Sequence, residues 1–394
     1  PRRSRTPIQP LNMETIRPFV DFYRQLGNEV VSRDYGDPQS MEASRQFLFL
    51  TLGVPPSLLK GKAILEFGPG AGHYSRFCAR AGPSSYTLVE GVAHILEVAK
   101  ANLIQHHDEV GHFEFIHSLF EEFNTSQKYD LVVAEACIPH QKDPTSLSRH
   151  MSSFVIPGGV IILTTISGTS YLSEIVRRLA RDIILDPAEP AEKQLAALTP
   201  RFKGHLEALP GIGRSVEDWV LDSIIQPLNL TKLFSIPDAI NAVGDRFVAY
   251  GSSPRFAQDW AWHRTVSSPR THINQKFIAS YLKKNLNLLD CNSEEVAHDQ
   301  KLGEEIEKAC NRLWTSMCML ETKNTTSWAE VDICLEEIAY LIPSSYGKTK
   351  IALREAIDWI KDGAPLGVTL RHFPGWWGRG QQHMSFVKQT SDLL

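Results

Sequence analysis

Three glycines at every second position, Gly68, Gly70 and Gly72, close a short apolar run and constrain this chain more than any other feature. The run, Ala63, Ile64, Leu65 and Phe67, reads as a buried parallel strand. Glycine has no Cβ, so the backbone can turn sharply there and approach a ligand closely. His73 to Ala81 reads as a helix, which sets the loop between a strand end and a helix N-terminus. In an open α/β sheet that junction is where nucleotides bind.

Two details choose among nucleotides. A dinucleotide fingerprint needs a third glycine where this chain has His73, and the Gly-Lys-Ser/Thr of a phosphate loop is absent. Glu66, two residues before the first glycine, would repel a pyrophosphate and suit a ligand carrying an ammonium or sulfonium charge. The segment Glu66-Phe-Gly-Pro-Gly-Ala-Gly72 resembles motif I of the class I S-adenosylmethionine-dependent methyltransferases. The resemblance implies an α/β fold with a seven-stranded Rossmann-like sheet and S-adenosylmethionine as cofactor. It makes Glu66, Gly68, Pro69, Gly70, Gly72 and Tyr74 cofactor-binding.

The rest of the sheet follows in order. Tyr86 to Glu90 is a second apolar strand ending in an acid before Gly91. The family has an acid there for the ribose hydroxyls, and Glu90 with Gly91 is assigned accordingly. Phe113 to His117 reads as strand three, and the resemblance implies that Ser118, Leu119 and Phe120 after it line the adenine. Tyr129 to Ala134 is strand four. It delivers Glu135 and His140 to the crevice, Glu135 as a cofactor and catalytic candidate and His140 as a general base. Each has a plain alternative: Glu135 orders the loop, and His140 caps the next helix. Ile156 to Thr165, with Pro-Gly-Gly at its start, is strand five. Gly367 to His372 and Gln382 to Lys388 are expected to be the last two strands, the second antiparallel.

Residues 13–60 read as an N-terminal helical lid, with Tyr35 in its Arg33–Pro38 break as a third catalytic candidate. Residues 1–12 read as a disordered leader. Residues 61–167 are the cofactor-binding core, 168–362 a helical cap inserted between strands five and six, and 363–394 the closing strands. Eight helical stretches are expected in the insertion, among them Pro237–Val248. A break from Tyr250 to Arg264 carries packed aromatics. Tyr171, Trp260, Trp262, His263, Trp376 and Trp377 are substrate candidates, or else anchors of irregular loops. Arg177-Arg178 and Lys283-Lys284 read as solvated helix faces.

Composition narrows the partners. A net charge of −4 gives no general reason to expect nucleic acid or an anionic membrane, and no run of 18 apolar residues exists. The six cysteines show no metal spacing, so no metal is expected and a cytoplasmic location is. The oligomeric state stays open. The reading is a methyltransferase acting on a small molecule, such as a secondary metabolite, enclosed by the cap. Two alternatives stand beside it. One keeps the cofactor but transfers its aminocarboxypropyl arm, or cyclises its methionine moiety, with release of methylthioadenosine. The other is a non-catalytic binding or scaffold subunit.

Overall fold

The structure, a computed structural model, describes Phe22 and residues 38–106, 108–139, 141–186, 189–209, 214–227, 233–295, 297–322 and 327–390. The leader, most of the lid with Tyr35, and His140 lie outside these residues. The chain divides into two compact units. One holds the sheet and comprises 37–167, 233–284 and 381–394. The other, of 168–232 and 285–380 with the first 36 residues, has helices and no strand among its described residues.

The described residues of the first unit form one seven-stranded sheet in the order β3-β2-β1-β4-β5-β7-β6. β1 (Ala63–Phe67), β2 (Ser85–Glu90), β3 (Phe113–His117), β4 (Tyr129–Ala134) and β5 (Val155–Thr165) pair in parallel. β7 (Gln382–Lys388) runs antiparallel between β5 and β6 (Phe247–Ser253). Helices Pro38–Thr51, Ser75–Arg80 and Ala93–Leu103 belong to this unit. On one side Ile64, Tyr86, Leu88, Leu131, Val133 and Ile162 pack with Phe49, Leu52, Phe77 and Leu103 in a continuous apolar core. Burial on both faces explains why these strands read as unbroken apolar runs.

Strand six is a correction. Gly367 to His372 form no strand; the backbone N–H groups of Arg371, His372 and Phe373 are instead donated to the Glu355 carboxylate, at 2.8, 2.7 and 2.6 Å. An acid that collects three successive donors leaves none for a ladder. The sixth strand lies in the stretch expected to end a helix and open a loop. The helix stops at Val243, where Gly244 takes φ 80°, and Phe247–Ser253 then alternates buried and open positions. The helices therefore flank β6 in two stretches instead of forming one insertion before it.

In the helical unit, Leu172–Ile184 is buried nearly throughout, including Arg177, Arg178 and Arg181. This overturns the solvated face expected for Arg177-Arg178. Arg178 and Arg181 share the Glu321 carboxylate at 3.0 and 2.6 Å, and Asp182 also pairs with Arg181. Arg177 stacks on Trp377, 3.9 Å from the ring centroid, and donates to the Trp376 carbonyl at 2.7 Å. Arg178 and Arg181 thus bury their charge against carboxylates, whereas Arg177 buries its own against an aromatic face and a carbonyl, with one Nη left unbonded.

β6 is seated against the helix Pro38–Thr51. Gly251 N–H is donated to Ser385 Oγ at 2.9 Å, and Ser385 Oγ in turn to the Leu52 carbonyl at 2.7 Å. A Cβ on Gly251 would lie 2.8 Å from Leu52 backbone atoms. Gly251→Ala is therefore expected to destabilise the protein by about 1–3 kcal/mol, read as a lower midpoint in thermal unfolding. An unchanged midpoint would place residue 251 outside the sheet.

Candidate active site at the carboxyl ends of β1, β2 and β4

The strand order reverses between β1 and β4, and the glycine loop sits at that reversal. Phe67, the last residue of β1, is level with Val89 on β2 and Ala134 on β4. The loop, Glu90 and Glu135 thus leave adjacent strands at one end of the sheet, where α/β proteins bind nucleotides.

Gly68, Gly70 and Gly72 all have positive φ, at 70°, 54° and 79°. Their surroundings differ in a way that identifies their tasks. A Cβ on Gly68 would press on Cys137, and one on Gly72 on the Ala99 backbone, so these two glycines permit close packing. A Cβ on Gly70 would meet nothing within 4 Å. The loop is pinned from outside by Asn102, whose Nδ2 donates to the Ala71 carbonyl at 2.9 Å. The helix that follows is only Ser75–Arg80, shorter than the His73–Ala81 expected.

Three carboxyls surround the loop. Glu66 is 5% exposed and accepts a hydrogen bond from the Tyr86 hydroxyl; burial pushes its pKa up to about 7, against that bond. Glu90 is 8% exposed. Burial raises it to about 7 as well, against hydrogen bonds from the backbone of Val92, Gly91 and Gly70. Glu135 goes the other way. Burial would raise it, but the Arg45 guanidinium and His383 outweigh burial and hold it down to about 2. Two acids that favour the proton and one that stays ionised share the end of one sheet.

The turn after β4 is also unusual. Ala136 has φ 59°, a left-handed conformation costly for a residue with a Cβ, and its N–H is held by Thr164 Oγ1 at 2.9 Å. Ser118 Oγ donates to the neighbouring Leu119 carbonyl, and Phe120 meets Phe67 edge to face. Tyr74 ends the loop beneath the Arg45 guanidinium, 4.6 Å from the ring centroid.

The substrate candidates are divided between the two units. Trp376 and Trp377 are buried in the helical unit, where their indole N–H groups donate to the Leu289 and Pro374 carbonyls. They are core residues, which goes against the substrate reading and agrees with the loop-anchor alternative. Tyr171, in the same unit, meets Trp314 edge to face. Trp260 and Trp262, in the sheet unit, are 95% and 62% exposed, with His263 in the turn after them and Arg264 against Trp262. Among the described residues no three His, Cys, Asp or Glu side chains gather as a metal site, and no helix is long and apolar enough to cross a membrane. Sequence reading missed Arg45, Tyr86, Asn102 and His383. Each sits in an expected helix or strand but faces a partner from far along the chain.

Residues 38–206 match the model of a methyltransferase domain. Over these residues the chain is similar to methyltransferase domains. The domain match covers less than half of the chain and runs from the sheet unit into the first helices of the other. A probable protein arginine N-methyltransferase 3 of Oryza sativa subsp. japonica is 32% identical over 158 residues, 34% of this chain and 25% of that protein. The mitochondrial ubiquinone biosynthesis O-methyltransferase of Schizosaccharomyces pombe is 30% identical over 124 residues, 32% of this chain and 45% of the relative. The chain thus spans a quarter to a half of the length of these curated relatives. The N-methyltransferase NodS of Bradyrhizobium japonicum is 17% identical over 38% of this chain and 74% of its own; its TM-score of 0.29 carries no argument.

The cofactor expected of a methyltransferase domain is S-adenosylmethionine, and the loop fits it. Gly70 keeps clear the space a Cβ would occupy, with an acid at each strand end beside it. Gly70→Val is expected to abolish binding of S-adenosylhomocysteine by calorimetry, and the left-handed φ adds about 1–2 kcal/mol of destabilisation. The raised acids predict a pH effect. Glu66 and Glu90 hold a proton up to about pH 7 in the folded chain, against an ordinary 4.5. Their contribution is complete below pH 4.5 and is lost as the pH rises through 7, on the order of 3 kcal/mol each. The ligand-free protein should therefore melt lower at pH 8 than at pH 5, and Glu66→Gln should flatten that slope. The lowered Glu135 changes charge only below this window.

Proposed function

We propose that the protein is an S-adenosylmethionine-dependent methyltransferase that acts on a small-molecule acceptor. The observation that carries this reading is the left-handed, unobstructed Gly70 between Glu66 and Glu90 at the reversal of the strand order. The domain match supports the cofactor. A ubiquinone-pathway O-methyltransferase among the relatives supports a small acceptor, although another relative is named for protein arginine.

When bound, the cofactor supplies a methyl group made electrophilic by the positive sulfur. The chain's part is to position, enclose and deprotonate. Glu90 accepts from the ribose hydroxyls, with Gly91 beside it. Gly68, Pro69, Gly70 and Gly72 give the backbone close approach. Ser118, Leu119 and Phe120 border the adenine, and Glu66 and Tyr74 lie toward the methionine end. His140 is the proposed base for an acceptor that must lose a proton, and Tyr35 a lid residue. The helical unit is proposed to carry acceptor selectivity.

At pH 8, where the Glu90 carboxylate is ionised, Glu90→Ala is expected to weaken S-adenosylhomocysteine binding by about 1.5–3 kcal/mol, the worth of hydrogen bonds to a charged group, and unchanged binding would remove Glu90 from the ribose. Incubation with S-adenosylmethionine and a small-molecule extract should yield S-adenosylhomocysteine by mass spectrometry. Methylthioadenosine in its place would refute methyl transfer. His140→Ala should lower turnover more than cofactor affinity.

A further inference from the structure

The stretch that leaves β6 departs from the rest of the chain in its use of tryptophan. Five of the eight tryptophans are buried, yet Trp260 and Trp262 are 95% and 62% exposed. They stand in a run, 258–265, in which every residue is exposed. A large ring in water forgoes the free energy that burial would recover, so two in one short run mark a contact surface.

The segment that carries them is tied down at its base. Phe256 is buried against Tyr281, with 5.5 Å between ring centroids, and its carbonyl accepts from Lys284 Nζ at 2.9 Å. Asp259 accepts the Ala261 N–H at 2.8 Å and pairs with His272 Nε2 at 2.5 Å. The Thr265 N–H is donated to the Trp262 carbonyl at 2.9 Å. The rings are thus presented on a fixed backbone, which lowers the entropy lost on contact.

The local charge also departs from that of the chain. Between Arg255 and Lys284 stand six Lys or Arg and a single acid, Asp259, in a chain whose net charge is −4. Asp259 is engaged by His272, and Lys276 is close enough to act on its charge. Arg270 is paired with Asp245. Arg255, Arg264 and Lys276 are exposed, and Arg264 lies over Trp262, 5.4 Å from the ring centroid. The net charge of the whole chain averages this patch away.

Exposed indoles beside exposed cations suit the interface of a bilayer. An indole sets its apolar body toward the acyl chains and its N–H among the headgroups, while Lys and Arg are drawn to anionic lipid. A protein partner would need a cavity shaped for each projecting ring, and a bilayer needs none. We propose that residues 255–264 dock the sheet unit on an anionic lipid surface. Trp260 and Trp262 enter the interface, and Arg255, Arg264 and Lys276 meet the headgroups. The contact is peripheral, and it stands apart from the methyltransferase reading.

The test is co-sedimentation of the full chain with phosphatidylcholine vesicles, with and without phosphatidylserine. Binding should be about tenfold or more stronger where phosphatidylserine is present. A basic residue near such a surface is worth about fivefold in partition, so Arg255→Glu/Arg264→Glu should weaken binding to the mixed vesicles about twentyfold or more. Trp260→Ser/Trp262→Ser should weaken it about tenfold or more at unchanged charge. All four side chains are exposed, so these variants should keep the fold, which circular dichroism checks. Brominated lipid in the mixed vesicles should quench the tryptophan emission of the wild type and not that of the tryptophan variant. Equal binding to both vesicle types, or full binding by the tryptophan variant, overturns the proposal. So does absence of vesicle binding, whether the tryptophans then prove to drive self-association in sedimentation velocity or the cations to hold an oligonucleotide.

Discussion

The site rests on a backbone conformation that side chains resist. Between β1 and the next helix the chain passes through three left-handed residues in five, and only glycine does so without a steric penalty. Two of those glycines permit packing against Cys137 and Ala99; the third leaves a gap. The division explains why the loop is rigid and yet open. Asn102 holds its carbonyl side, neighbouring strands hold its ends, and the space over Gly70 is left for a guest.

Around that turn, three acids of one chemical type are driven apart by their surroundings. Glu66 and Glu90 are buried with neutral donors, which do not repay the loss of water, so both favour the proton. Glu135 is buried as deeply but faces a guanidinium and an imidazole, and stays charged. Identical carboxyls with divergent proton affinities are a common sign of a working site. In this protein the divergence follows from which helix or strand each acid faces.

Much of this was legible in the sequence, and the parts that were not share one cause. β1, β3, β4 and β7 fall where the sequence puts them, and for β1 and β4 the reason is that a strand buried on both faces announces itself locally. β6 does not. Phe247–Ser253 alternates, follows a helix with only Gly244 as a break, and finds its partner more than a hundred residues later. Val368 to Leu370 looked like a strand because nothing nearby shows that Glu355 takes the next three N–H groups. Arg177 and Arg178 looked solvated because the groups that accept them, Glu321 and the Trp376 carbonyl, lie more than a hundred positions away. Arg45 and His383 were hidden in the same way, 90 and 248 residues from the Glu135 they share. Glu90 was legible because its acid–glycine step closes a recognisable strand.

The placing of β7 between β5 and β6 has a consequence for biogenesis. β6 pairs only with β7 among the described strands, and β7 is made more than 120 residues after it. As the chain emerges from the ribosome, β6 must wait with both flanks unsatisfied while the helices of the other unit are synthesised. Assembly of the sheet is thereby delayed until β7 is made, and a polypeptide cut short between β6 and β7 would leave one edge of β5 and both flanks of β6 unpaired, a natural client for chaperones and proteases.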